Sequence, residues 1–235
     1  MMARRAVDIV YVLERSDARR TADIIIERDG KVQVRVPRHL PDERVDELIE
    51  TKRLWIYKAL AEWRDLNATR VIRSYRNGEG FLYLGRSYRL SLVCDQGEVL
   101  TLKEGRFCLR RDLVERGSMA DAQAAFRNFY IARGRERLSK RVAYFVPKVG
   151  VPASNVAVAD LGTRWAANTA AGRLRFHWKC LMAPPTIIDY IVVHELCHVH
   201  HRDHTDAFWN EVDKVLPDWR ERKAWLRKHG AAMEV

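Results

Sequence analysis

Apolar and polar residues alternate over the first forty positions: Val32, Val34 and Val36 are separated by Gln33 and Arg35, and β-branched apolar runs cover 7–13 and 22–26. A period of two is the pattern of a half-buried strand, and Asp29-Gly30 is a hairpin turn. The expectation is an antiparallel ribbon. At Asp42 the period changes. Val45, Leu48, Ile49, Trp55, Ile56, Leu60 and Trp63 recur at helical spacing behind an acidic first turn, which predicts one long amphipathic helix.

Short β-like runs at 81–84, 88–93, 99–102 and 107–109, separated by Gly85, Gly97 and Gly105, predict a second small β-meander. Ser118 with Asp121 three residues on forms a capping box. It opens a helix through Ala122, Phe126, Phe129 and Tyr130 to about Phe145, with a break expected at Gly134. Beyond Pro147 and Pro152, 156–158 reads as a strand and 160–172 as a polar loop. Leu174, Phe176 and Trp178 then alternate with Arg173, Arg175 and His177 in another strand. Pro184-Pro185 suits a helix first turn, and Ile188, Ile191, Val192, Leu196 and Val199 give the helix that follows an apolar face. The order of elements predicts an α+β fold, with a β-rich N-terminal half (1–117, including one long helix) packed on a helical C-terminal half (118–235).

A hydrophobic content of 47% with seven Trp and eight Tyr is ample for a core. No run approaches the roughly 18 to 20 apolar residues that a membrane span needs, so no membrane partner and a cytoplasmic location are expected. The four cysteines show neither zinc-knuckle spacing nor disulfide-scaffold density, and are expected to be reduced. The formal charge of +11 favours polyanions or anionic substrates. Arg127, Arg133, Arg135, Arg137, Lys140 and Arg141 share the polar side of the long C-terminal helix, which reads either as a phosphate grip or as a hydrated face.

The chemistry concentrates in His194-Glu195-Leu196-Cys197-His198. H-E-x-x-H places two imidazoles one helical turn apart, about 6 Å along the axis, where both can reach one zinc ion. The glutamate between them can take a proton from an attacking water. A catalytic zinc normally has three protein ligands, so a third is required. His200 points to the opposite side of the helix and His201 lies a further turn on. His204 can return only if the helix ends near Arg202-Asp203 and the chain turns back; a downstream carboxylate such as Glu211 is the next candidate. The spacing to His204 equals that of metzincins, but their turn glycine is His201 here and no Met-turn is evident.

With these residues in place, the stretch from Arg164 to Trp225 resembles the YgjP-like metallopeptidase family, related to SprT-like and WLM zinc proteases. The matching residues are Arg164-Trp165, the run from Trp178 to Pro185, Ile188-Asp189-Tyr190, His194-Glu195-Leu196-Cys197-His198, His204, Phe208-Trp209, Leu216-Pro217-Asp218-Trp219 and Trp225-Leu226. The resemblance implies a zincin-like C-terminal half with His194, His198 and His204 as zinc ligands and Glu195 as base. Where the family usually continues Arg-Trp with Gly-Ser-Cys-Ser, this chain has Ala166-Ala167-Asn168-Thr169.

The leading expectation is a zinc metallopeptidase acting on peptides or unfolded proteins, with the strand from Leu174 pairing with extended substrate. Arg164, His177 and Tyr190 are candidate substrate-binding donors. Two other readings are a metal-dependent nucleoside triphosphate pyrophosphatase, which the resemblance also implies, using Arg164, Arg173 or Arg175, and a module bound to nucleic acid through its basic surface with a non-catalytic zinc.

Overall fold

Val32, Val34 and Val36 all face inward from one strand, and Val45, Ile49 and Ile56 of the following helix are buried with them. This is the arrangement the two periods predict, and each such side chain contributes roughly 1.5 to 3 kcal/mol on burial. The computed structural model describes residues 3–6, 8–27, 30–67, 72–152, 155–169 and 173–235. Val7, Asp29 and Gly172, used in the sequence reading, lie outside these. The chain divides into two units, Met1–Arg70 and Val71–Val235, so the second group of strands belongs with the helices that follow it. Two four-stranded sheets lie in the N-terminal half, and a smaller three-stranded sheet and most helices in the C-terminal half, in a mixed α+β fold.

In the first unit, β1 (Ala3–Ala6), β2 (Ile9–Ser16), β3 (Asp23–Ile26) and β4 (Val32–Pro37) precede α1 (Asp42–Asn67). The sheet order is β1-β2-β4-β3. Both hairpins are antiparallel, but they join through β2 and β4, which run parallel from Tyr11↔Val32 to Ser16↔Pro37. The expected all-antiparallel ribbon is therefore corrected to a mixed sheet. Alternation fixes which face is buried and says nothing of a neighbour's direction. On α1, Trp55 is 49% exposed and departs from the expected apolar stripe.

The second unit opens with β5 (Gly80–Tyr83), β6 (Arg86–Val93), β7 (Leu100–Lys103) and β8 (Arg106–Arg110). Their order, β5-β6-β8-β7 with β6 parallel to β8, repeats that of the first sheet and replaces the expected meander. The β5–β6 turn has positive φ at both Leu84 and Gly85, as a tight hairpin requires. Its N–H groups donate to the carbonyls of Leu181 and Met182 at 2.8 and 3.0 Å. A Cβ at Gly85 would lie 2.9 Å from Pro184 Cα, so glycine lets this turn rest where the metal-bearing helix begins.

After the short α2 (Asp112–Glu115), α3 (Met119–Val149) starts at the predicted Ser118–Asp121 capping box and ends at left-handed Gly150. It runs through Gly134 without a break. A Cβ there would meet Leu181 Cδ2 at 3.0 Å and Val158 Cγ1 at 3.3 Å, so the residue permits close packing. Phe126 and Tyr130 pack with Phe81 and Phe107, and the Phe81 and Phe126 rings stack at 4.2 Å. On the basic side, Arg141 is committed to Asp189 by two bonds of 2.6 and 2.9 Å, and Lys140 pairs with Glu136.

A three-stranded sheet follows, β9 (Val156–Ala159), β10 (Ala166–Asn168) and β11 (Leu174–His177), in the order β10-β11-β9. β10 lies within the expected polar loop. The middle strand is β11, with β9 and β10 on its two edges, so the expectation that it pairs with substrate is corrected: it has no open edge. A 3-10 turn at Trp178–Met182 separates it from α4 (Pro185–Cys197), which has Pro184 at its N-cap and Pro185 at its first position. α4 is buried along nearly its whole length, and α5 (Asp206–Val215) and α6 (Trp219–His229) complete the unit. Val199, placed on the buried face by sequence, lies beyond the helix and is exposed. Among the described residues no helix is long and apolar enough to cross a membrane.

Candidate metal centre

The last turn of α4 presents His194, and His198 follows at the helix C-cap with helical backbone angles. The chain then leaves the helix, with the N–H groups of His200 and His201 both donating to Cys197 O at 3.1 Å. This is about five residues before the end the sequence suggested. Thr205 caps α5 through its side chain, so His204 sits where the returning loop meets a new helix. The outcome is convergence: His194 Nε2 lies 3.2 Å from His198 Nε2 and 3.0 Å from His204 Nε2. The three ring centroids are 4.8 to 4.9 Å apart.

Phe208, fully buried, is the floor under all three rings, at 4.9, 4.6 and 4.9 Å. Trp209 lies nearly parallel to the His204 ring at 5.5 Å and stacks on Trp219 at 4.1 Å. The ligand set therefore rests on one rigid helix and one aromatic stack. His198 Nδ1 is 3.0 Å from the backbone carbonyl of His201, so Nδ1 carries the proton and Nε2 keeps its lone pair for the cluster. His200 Nε2 instead meets Val149 O at 3.1 Å, outside the cluster. Glu211 pairs with Lys214 at 2.6 Å. Among the described residues, His194, His198 and His204 form the one group of three or more His, Cys, Asp or Glu side chains close enough to share a metal ion.

Burial holds the His194 imidazole well below its usual pKa, with His198, His204 and Lys223 adding to the effect. Burial, then His198 and Lys223, lower His204 in the same direction. Neutral rings offer lone pairs, and three imidazoles converging on one point fit the ligand set of a catalytic zinc ion. His194 Nδ1 is buried without a hydrogen-bond partner.

Glu195 follows His194 on α4 and is 8% exposed. Burial pushes its carboxyl up to about 7, against the opposing charge of Arg164 and a hydrogen bond from the Asn168 backbone N–H. β10 thus touches the carboxylate through its main chain, which any residue but proline supplies. The Ala166-Ala167-Asn168-Thr169 sequence preserves that contact. Tyr190 is buried with its ring 5.8 Å from His194, and burial and the Glu195 charge keep its hydroxyl protonated. Arg164 is exposed and acts on Glu195 by charge. His177 has a different task. It is 2% exposed, caps the 3-10 turn by accepting from Lys179 N at 3.1 Å, and places Nε2 3.4 Å from Asp160.

Sequence reasoning did not find Lys223 near the histidines or the Asn168 N–H on Glu195. The Phe208-Trp209 pair just beyond His204 was a visible signal for the aromatic support.

The convergent histidines and the adjacent buried glutamate occur in a chain of the metallopeptidase class. The family model described as "YgjP-like, metallopeptidase domain" matches residues 20–229, and the chain belongs to that family. A solved structure, the crystal structure of the metallopeptidase zymogen of Pyrococcus abyssi abylysin, is similar over 42% of this chain and 99% of that one, with 21% identity and a TM-score of 0.38. No curated protein matches the chain.

Proposed function

We propose that the protein is a zinc-dependent peptidase that cleaves extended peptides or unfolded protein segments. The observation that carries this reading is the convergence of three imidazole Nε2 atoms beside a buried glutamate whose pKa is pushed up to about 7. His194, His198 and His204 would hold the metal, and zinc bound there supplies Lewis-acid polarisation of the scissile carbonyl and of water.

The remaining work falls to the chain's own groups. The Glu195 carboxylate accepts a proton from the attacking water and delivers it to the leaving amine nitrogen. A base with a pKa near neutrality can do both. The Asn168 N–H and the Arg164 charge orient and moderate that carboxylate. β10 is an edge strand of the three-stranded sheet and packs against α4, so an extended substrate pairs with its main chain at Ala166, the Asn168 N–H being given to Glu195. Arg164 and Tyr190 stand close enough to act on Glu195 electrostatically and are the donors for the polarised carbonyl; His177 is committed elsewhere.

Incubating zinc-loaded protein with an unfolded protein and reading fragments by mass spectrometry tests this. Cleavage that stops on chelation and returns with zinc is expected. Intact protein, together with pyrophosphate release from nucleoside triphosphates, would replace the peptidase reading with a nucleotide one.

A further inference from the structure

Lys223, on α6, is the cation at the metal centre for which the mechanism above has no use. Its Nζ lies 4.2 Å from the centroid of the Trp209 ring and 5.7 Å from that of Trp219. Trp209 is itself 5.5 Å from His204 and 5.7 Å from His194. The ammonium is therefore one indole away from two of the three imidazoles, and its charge is felt by both.

Neighbouring cations of α6 have partners in the protein. Arg220 pairs with Asp213 at 3.3 Å, and Arg222 with Asp218 at 2.9 Å and with Thr186 O at 2.9 Å. Among the described residues, no carboxylate lies within 4.0 Å of Lys223 Nζ. Lys223 is accessible to solvent, while partial desolvation, with repulsion from Arg227, lowers its pKa. Asp203 acts on His204 in the opposite sense, but from the loop preceding the ligand. Facing the site from the side of Glu195 is another cation, Arg164. A solvent-accessible ammonium held on aromatic rings beside a metal centre, with no carboxylate partner of its own, is a receptor for an anion.

We propose that Lys223 is a specificity-determining residue that binds a carboxylate of the peptide substrate, from an acidic side chain or a free C-terminus, beside the metal centre. This rests on the peptidase reading, and the class of substrate follows from it: peptides that carry negative charge close to the cleaved bond.

Binding to zinc-loaded Glu195→Gln protein, where turnover is suppressed, separates recognition from catalysis. The probes are three unstructured peptides of one sequence, with a central Glu and an amidated end, a central Gln and an amidated end, and a central Gln and a free carboxylate, and a fourth, amidated with a central Lys, for the charge-reversed variant. Lys223→Met keeps an apolar stem on Trp209 and removes the charge. In that background the affinity for a carboxylate-bearing peptide should fall about tenfold, equivalent to about 1.4 kcal/mol. Affinity for the neutral peptide should not change. Lys223→Arg should retain the preference, and Lys223→Glu should transfer it to a peptide with a central Lys. Which acidic peptide responds identifies the source of the carboxylate. Equal affinity of the parent protein for all three peptides, or an equal loss for all three in Lys223→Met, would overturn the proposal. If the same peptides stay uncut by zinc-loaded protein with Glu195 intact, the peptidase reading fails instead, and the binding pattern still decides the role of Lys223.

Discussion

His194 and His204, ten residues apart in the chain, have Nε2 atoms 3.0 Å apart. Two imidazoles this close cannot both be protonated at Nε2, and the arrangement favours rings that present lone pairs to a shared cation. His194→Ala, His198→Ala and His204→Ala are each expected to lower zinc content sharply in purified protein. His200→Ala should leave it intact, because that ring bonds to Val149 O. His201→Ala should also leave it intact, because the contact to His198 comes from the backbone carbonyl. Metal analysis of the five variants decides the point, and full zinc occupancy in His204→Ala would contradict the assignment.

Glu195 gives the metal-free protein a stability that depends on pH with a definite sign. Its carboxyl is pushed up from 4.5 to about 7 by burial. Between those values the unfolded chain releases the proton and the folded one keeps it, so this group's contribution to stability falls as pH rises from 4.5 to 7, by about 3 kcal/mol at most. The lowered pKa of His194 acts in the other direction, since stability is lost as pH falls below 6.5. Comparing denaturant unfolding of Glu195→Gln and parent protein isolates the glutamate: the variant should become relatively more stable as pH rises through this window. Parallel curves would mean that the carboxyl is ionised when buried.

The long helix should tolerate Gly134 poorly when it is enlarged. Alanine adds helix propensity worth about 1 kcal/mol, but valine also drives methyl groups into Leu181 and Val158, beside the turn that leads into α4. Gly134→Val is expected to destabilise by about 2 kcal/mol or more, seen as a lower unfolding midpoint at unchanged slope. Stability equal to the parent would show that the α3 contact is loose.

The parts of the site readable from sequence are those fixed by local geometry. His194 and His198 share a face because any helix puts i and i+4 together, and the Ser118 capping box and Pro185 at a first helical turn are likewise local rules. The third histidine was harder, because neither glycine nor proline marks the helix end after Cys197; the turn is made by N–H groups of 199–201 on the carbonyls of Leu196 and Cys197. Strand neighbours were not readable either. In the first four-stranded sheet alternation identified the buried face, while the parallel pairing of β2 with β4, and of β6 with β8 in the second, depends on how each connection crosses over. β10 escaped because Ala166, Ala167 and Asn168 have little β-propensity and owe their conformation to β11. Lys223 escaped because only the packing of α6 brings it to Trp209.

The most direct test of the central claim, that Glu195 and the three histidines form a peptide-cleaving centre, is a parallel assay of zinc-loaded parent and Glu195→Gln protein on an unfolded casein-like substrate and on nucleoside triphosphates. The account predicts cleavage of the protein substrate that falls about a hundredfold or more in Glu195→Gln, with zinc content unchanged and the triphosphates intact. Pyrophosphate release that depends on Glu195, with the protein substrate left whole, would contradict it.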